Sequence, residues 1–182
     1  MKKIMMSLIA AGVLATAVTA GGNVERIEVV GTQPWTGLYL GGAVQATQTY
    51  INGESDWFGT SDVNKVAYGV QGDIGYTFFN NGDFAASVEG RVGTSVGDYA
   101  VETTYVAAYI KPEVIFGDFS VYGLLGYGAL DYTDANVNDY TYGGGFQYAV
   151  TEQISAFADY VVLPAFGDVE SDIVSMGINY KF

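Results

Sequence analysis

Residues 65–79 read KVAYGVQGDIGYTFF. One parity of this run carries Val66, Tyr68, Val70, Gly72, Ile74, Tyr76 and Phe78; the other carries Lys65, Ala67, Gly69, Gln71, Asp73, Gly75 and Thr77. A period of two is that of an extended strand, whose successive side chains point to opposite faces. A helix would scatter these residues around its circumference, and the glycines would weaken it. The run predicts a long strand with one apolar face and one small, polar face.

The pattern extends outward in both directions. Strands are predicted at Gly37–Tyr50, Phe84–Val96, Thr104–Phe116, Phe119–Tyr132, Tyr140–Val150, Ile154–Val162 and Ile173–Phe182. In most of them parity assigns the faces. Leu38, Leu40 and Val44, then Val88 and Val92, then Val106 and Ile110 share the apolar side, while Glu89, Arg91, Lys111, Glu113, Gln147 and Asp159 fall on the other. Phe119–Tyr132 is apolar on both parities, so its facing stays open.

Three connections are tight: Asn80-Asn81-Gly82-Asp83, Gly117-Asp118 and Thr151-Glu152-Gln153. Asn-Gly and Gly-Asp supply residues that tolerate positive φ in hairpins. The other four, Ile51–Asn64, Gly97–Thr103, Thr133–Asp139 and Leu163–Asp172, are longer and acidic. Short turns on one side and long loops on the other are the arrangement of an outer-membrane barrel, with the short side periplasmic.

The same alternation would suit a soluble barrel with its large apolar residues inside. Three facts favour lipid outside. Small residues crowd the polar face. Aromatics collect at strand ends: Trp35, Phe78, Phe84, Phe116, Phe119, Tyr148 and Phe182 near the tight turns, and Tyr50, Tyr68, Tyr99, Tyr105, Tyr132, Tyr142 and Tyr160 near the loops. Such rings form the girdles of a membrane barrel at headgroup depth. The last residue, moreover, is Phe182. The expected fold is all-β, an eight-stranded antiparallel transmembrane up-and-down β-barrel.

Both ends carry targeting patterns. Lys2 and Lys3 precede an apolar run from Ile4 to Val18 that closes on Thr19-Ala20, which predicts a cleaved signal peptide over 1–20. Residues 21–35 are expected to form a short periplasmic N-terminal arm, and 36–182 the barrel. Ile178, Tyr180 and Phe182 end the last strand in strict alternation. They resemble the signal read by the barrel-assembly machinery.

The chain resembles the eight-stranded outer-membrane barrel family of the OmpA-type transmembrane domain and the opacity-type proteins. The resemblance rests on Gly37-Leu38-Tyr39-Leu40-Gly41, Tyr109-Ile110-Lys111-Pro112, Tyr122–Tyr127 and Gly143–Thr151. In the last segment Gln147 stands where that family usually has Glu. This removes one interior carboxylate and puts the family's buried ion-pair switch in doubt.

Charge narrows the function. The net charge is −13, with no Cys and no His. No disulfide scaffold is possible, and imidazole cannot activate a nucleophile, so neither an enzyme nor a catalytic residue is expected. A polyanion repels nucleic acid. The few cations matter more: Lys65, Arg91, Lys111 and Lys181 are predicted to face the lumen with Asp73, Glu89, Glu113 and Asp159. On the lipid face each would cost about 2–4 kcal/mol at the midplane. A barrel of eight strands has a bore about filled by side chains, so this cluster is expected to plug it.

No cofactor or metal site is expected. Asp131 with Asp134, or Asp168, Glu170 and Asp172, offer oxygen ligands without the spacing of a calcium loop. The expected partners are outer-membrane lipid, lipopolysaccharide, the barrel-assembly machinery and an extracellular ligand reached through the loops, with the chain itself a monomer. Three functions follow: a structural or surface-interaction barrel, a small porin passing ions or solutes slowly, and an adhesin working through its acidic loops.

Overall fold

Eight strands follow one another without interruption by helix in the computed structural model, which describes residues 35–51, 65–97, 100–132, 135–163 and 169–182. They are β1 (Gly37–Ile51), β2 (Lys65–Asn80), β3 (Phe84–Gly97), β4 (Ala100–Phe116), β5 (Phe119–Tyr132), β6 (Ala135–Ala149), β7 (Ile154–Val162) and β8 (Val169–Lys181). The signal peptide and nearly all of the N-terminal arm lie outside the described residues.

Each strand pairs antiparallel with the next, and β8 returns to β1 to close the barrel. The closing seam runs from Tyr39 opposite Lys181 to Ile51 opposite Val169, and the Phe182 amide extends it by donating to the Leu38 carbonyl at 3.1 Å. Closure is what lets a sheet cross a bilayer, because hydrocarbon offers no partner to an unpaired backbone edge.

Parity decides the walls as the alternation requires. Val44, Val70, Ile110 and Leu125 are 66 %, 58 %, 59 % and 62 % exposed, while Gln45, Gln71, Lys111 and Leu124 beside them are buried. This is an inside-out distribution for a soluble protein and the expected one for a barrel in lipid. A register shift between Thr77 and Phe79 brings both Phe78 and Phe79 to the outside. They join Phe84, Phe116, Phe119, Tyr180 and Phe182 in the girdle near the tight turns. Gly82 and Gly117 take φ values of 98° and 66° in two of those turns, the left-handed region that favours glycine.

Three expectations need correction. Strands take up most of two presumed loops and the end of a third. Gly97 pairs with Ala100, Tyr132 with Ala135, and β8 begins at Val169. Once a strand rises past the hydrocarbon it no longer needs an apolar outer face, so polar residues continue the ladder. The Ile51–Asn64 connection, from residue 52 on, lies outside the described residues. Tyr105 belongs to no girdle, because it is 3 % exposed and points inward. The lumen is also less polar than expected, for β5 turns Tyr122, Leu124 and Leu130 into it.

Candidate functional site

The lumen is filled in layers, and its middle layer is ionic. Glu89 and Arg91 sit two residues apart on β3 and therefore on the same inner face. Arg91 Nε donates to Glu89 Oε1 at 2.6 Å, and its Nη2 crosses the bore to Asp159 Oδ2 on β7 at 2.7 Å. Lys111 Nζ from β4 reaches Glu89 Oε2 at 3.1 Å. Tyrosines close the set: the Tyr39 hydroxyl donates to Glu89 Oε2 at 2.5 Å and the Tyr122 hydroxyl to Asp159 Oδ2 at 2.9 Å. Lys111 Nζ also lies 4.1 Å from the centre of the Tyr122 ring, and Arg91 lies 5.4 Å from that of Tyr109. Ring faces attract cations most strongly where water is excluded.

On the extracellular side of this layer the Tyr105 hydroxyl donates to Gln71 Oε1. Gln45 Nε2 donates to Ser95 Oγ at 3.0 Å. Beyond it a cluster including Leu124, Leu130, Val161, Leu163 and Ile173 fills the bore with hydrocarbon. On the periplasmic side two small cavities of about 50 and 40 Å3 are lined by Trp35, Glu113, Gln147 and Lys181 among others. A larger concavity, about 750 Å3, lies instead along the outer wall, over Gly90 and Ala108 and beside Tyr127 and Tyr140.

The expected cluster thus divides. Glu89, Arg91, Lys111 and Asp159 come together in one network. Asp73 is buried at the same level, where it pairs in register with Arg91, but its carboxylate joins no hydrogen bond among the described residues. Glu113 and Lys181 stand apart at the periplasmic mouth, both half-buried. Glu113 accepts from Ser120, and Lys181 Nζ lies 5.5 Å from the Trp35 ring. Lys65 opens β2 at the far end, and its side chain lies outside the described residues. Ile178, Tyr180 and Phe182 all face outward along β8 and its end. No group of three or more Asp, Glu, His or Cys side chains gathers to hold a metal among the described residues. Of the acidic loop residues named for calcium, Asp172 accepts from the Tyr160 hydroxyl at 2.5 Å.

Reading for charges alone missed the lumen tyrosines, although a signal for them exists. Tyr39, Tyr105, Tyr109 and Tyr122 each sit opposite a glycine on the neighbouring strand, namely Gly75, Gly93, Gly126 and Gly145. A Cβ at Gly75 would overlap the Tyr39 ring, and one at Gly93 the Tyr105 ring. A glycine in a strand interior weakens it unless something must approach closely; here Gly75, Gly93 and Gly126 make room for a ring, while a Cβ at Gly145 would meet Asp159 and the β7 backbone.

A family model described as outer membrane protein beta-barrel domain matches residues 6–182. No curated protein matches the chain. Among solved structures, Ail, the attachment invasion locus protein of Yersinia pestis, is 16 % identical with a TM-score of 0.55, over 81 % of this chain and all (100 %) of that one. Its complex with the heparin analogue sucrose octasulfate gives 18 % identity and 0.54, covering 81 % and 99 %. Neisserial surface protein A is similar at 15 % identity and 0.50, covering 80 % and 97 %. The N-terminal β-barrel domain of Pseudomonas aeruginosa OprF is similar at 14 % and 0.51, covering 81 % and 100 %.

Proposed function

The chain belongs to the family of outer-membrane protein β-barrel domains, and from that premise we propose that it is a closed, non-conducting barrel whose working surface is its extracellular end. It resides in the outer membrane of a Gram-negative bacterium. The observation that carries the proposal is the ionic layer. Arg91 spans from β3 to β7, its partners occupy the middle of the bore, and hydrocarbon packs above them. Ions would have to displace paired, buried charges to pass, and breaking such pairs is costly.

With the bore filled, the extracellular connections are the surface left to act. Eleven of the chain's 20 acidic residues fall between Glu54 and Asp62, Asp98 and Glu102, Asp131 and Asp139, or Asp168 and Asp172. Lys65 is the one cation beside them. A surface of that sign favours cationic partners, or lipopolysaccharide bridged by divalent ions, over a sulfated polyanion such as the one bound to Ail. The role is therefore structural or surface-interacting, with no catalytic step. The barrel stands as a monomer among outer-membrane lipids. The barrel-assembly machinery inserts it, reading Ile178, Tyr180 and Phe182.

Single-channel recording of the refolded mature protein in a planar lipid bilayer tests this. A folded, silent protein is the expected result. Steady, resolvable openings would overturn it and make the chain a slow porin whose ionic layer lines the path.

A further inference from the structure

One cross-strand row in the lumen remains unused by the ionic network. Asp73 on β2 pairs in register with Gly41 on β1, Gly41 with Asn179 on β8, and Asn179 with Ser155 on β7. The three side chains are 6 %, 4 % and 0 % exposed. Neither carboxylate oxygen of Asp73, nor Asn179 Oδ1, nor Ser155 Oγ has a hydrogen-bond partner among the described residues. Gly41 gives the row its space. A Cβ there would collide with both Asn179 Oδ1 and Asp73 Oδ2, so the two oxygens converge on one point from neighbouring strands. The Asn179 amide is oriented by its Nδ2, which donates to Gln147 Oε1 at 3.4 Å.

Charge balance says what belongs at that point. The middle of the bore holds three buried carboxylates, Asp73, Glu89 and Asp159, but two buried cations, Arg91 and Lys111. Both cations are engaged by Glu89 and Asp159, which leaves Asp73 as the odd anion. A buried carboxylate without compensation is too costly to persist. The converging donors are hard oxygens carrying a single charge. Soft metals would need thiolate or imidazole, and the chain has no Cys and no His. Calcium would need more anionic charge than one carboxylate supplies. A small monovalent ion fits both the charge and the donor set. Asn179 and Ser155 also line the cavity at the periplasmic mouth, which gives it an entry path.

We propose that Asp73 and Asn179, over Gly41 and beside Ser155, bind a sodium-sized monovalent cation that enters from the periplasm and completes the charge balance of the lumen. The site does not depend on whether the bore conducts. The test is heat unfolding of the refolded barrel in phosphatidylcholine vesicles. Sodium chloride is exchanged for N-methylglucamine chloride at constant ionic strength. The wild-type midpoint should rise with sodium and saturate, because a ligand that binds only the folded state stabilises it by mass action. Asp73→Asn should fold and lose the dependence. Asn179→Ala keeps the carboxylate and should raise the half-saturating sodium concentration tenfold or more, and it serves alone if Asp73→Asn does not fold. Sodium dependence that is equal in wild type and both variants would overturn the proposal. So would its absence in the wild type. In that case a protonated-carboxyl stretch in the infrared, lost in Asp73→Asn, would assign a proton to Asp73. Without that band, the Asn179 amide presents its NH2 to the carboxylate instead.

Discussion

Replacing Arg91 by Met removes the one side chain that holds both halves of the ionic layer. Arg91 is 3 % exposed and makes two ion pairs, at 2.6 and 2.7 Å. Breaking a buried pair by deleting one partner costs about 3–5 kcal/mol, because the other charge is left uncompensated. Here two carboxylates are affected, but each keeps a donor: Glu89 retains Lys111 and Tyr39, and Asp159 retains Tyr122. The expected loss is therefore near the lower end, about 3 kcal/mol. Lys111→Met removes a single pair at 3.1 Å and should cost about 1.5–3 kcal/mol, the range for a hydrogen bond to a charged group. Equilibrium urea unfolding in lipid vesicles, followed by tryptophan fluorescence, measures both. The quadruple variant Glu89→Gln, Arg91→Met, Lys111→Met, Asp159→Asn should recover most of the loss, since no member of the network is then left as a stranded charge. A loss below about 1 kcal/mol for Arg91→Met, or one smaller than for Lys111→Met, would refute the reasoning.

Other substitutions probe the walls, the packing and the ends. Ile110→Arg puts a charge on an outward position that is 59 % exposed. It should cost about 2–4 kcal/mol if that position lies near the midplane, read by the same urea titration. Gly75→Ala drives a methyl into the Tyr39 ring and should cost about 1–3 kcal/mol, as overpacking does. In a double-mutant cycle with Tyr39→Ala, which frees the space, the combined loss should be less than the sum of the two single losses. Phe182→Ala leaves the closing register intact, because Phe182 bonds to Leu38 through its backbone amide. It should lower the yield in the outer membrane of cells while refolding in detergent stays normal, as gel mobility of heated and unheated samples will show.

The barrel was readable wherever one face of a strand differed from the other. In β2 and β3 polar and apolar residues separate cleanly, so parity alone assigned Asp73, Glu89 and Arg91 to the lumen. In β5 both parities are apolar, and the choice between Leu124 and Leu125 is made by pairing with β4 and β6, which no local pattern contains. The place of Tyr105 near a strand end suggests a girdle, although Val106 pointing outward already turns Tyr105 inward. The acidic stretches at Gly97–Thr103, Thr133–Asp139 and Leu163–Asp172 resemble loops in sequence because they are polar, but polarity is not irregularity. Above the bilayer a strand keeps its hydrogen bonds with either kind of side chain. Which charges actually meet was not legible at all. Arg91 and Asp159 are 68 residues apart, and only closure of the ring brings them together.

That meeting has a mechanical meaning. β3 and β7 stand four places apart in a ring of eight, so the guanidinium–carboxylate contact acts as a tie rod across the diameter. A hollow sleeve of sheet flattens easily under lateral pressure from the surrounding lipid. A braced one keeps its cross-section, and with it the spacing of everything mounted on its outer rim. The extracellular connections are therefore mounted on a frame whose width is held across its diameter.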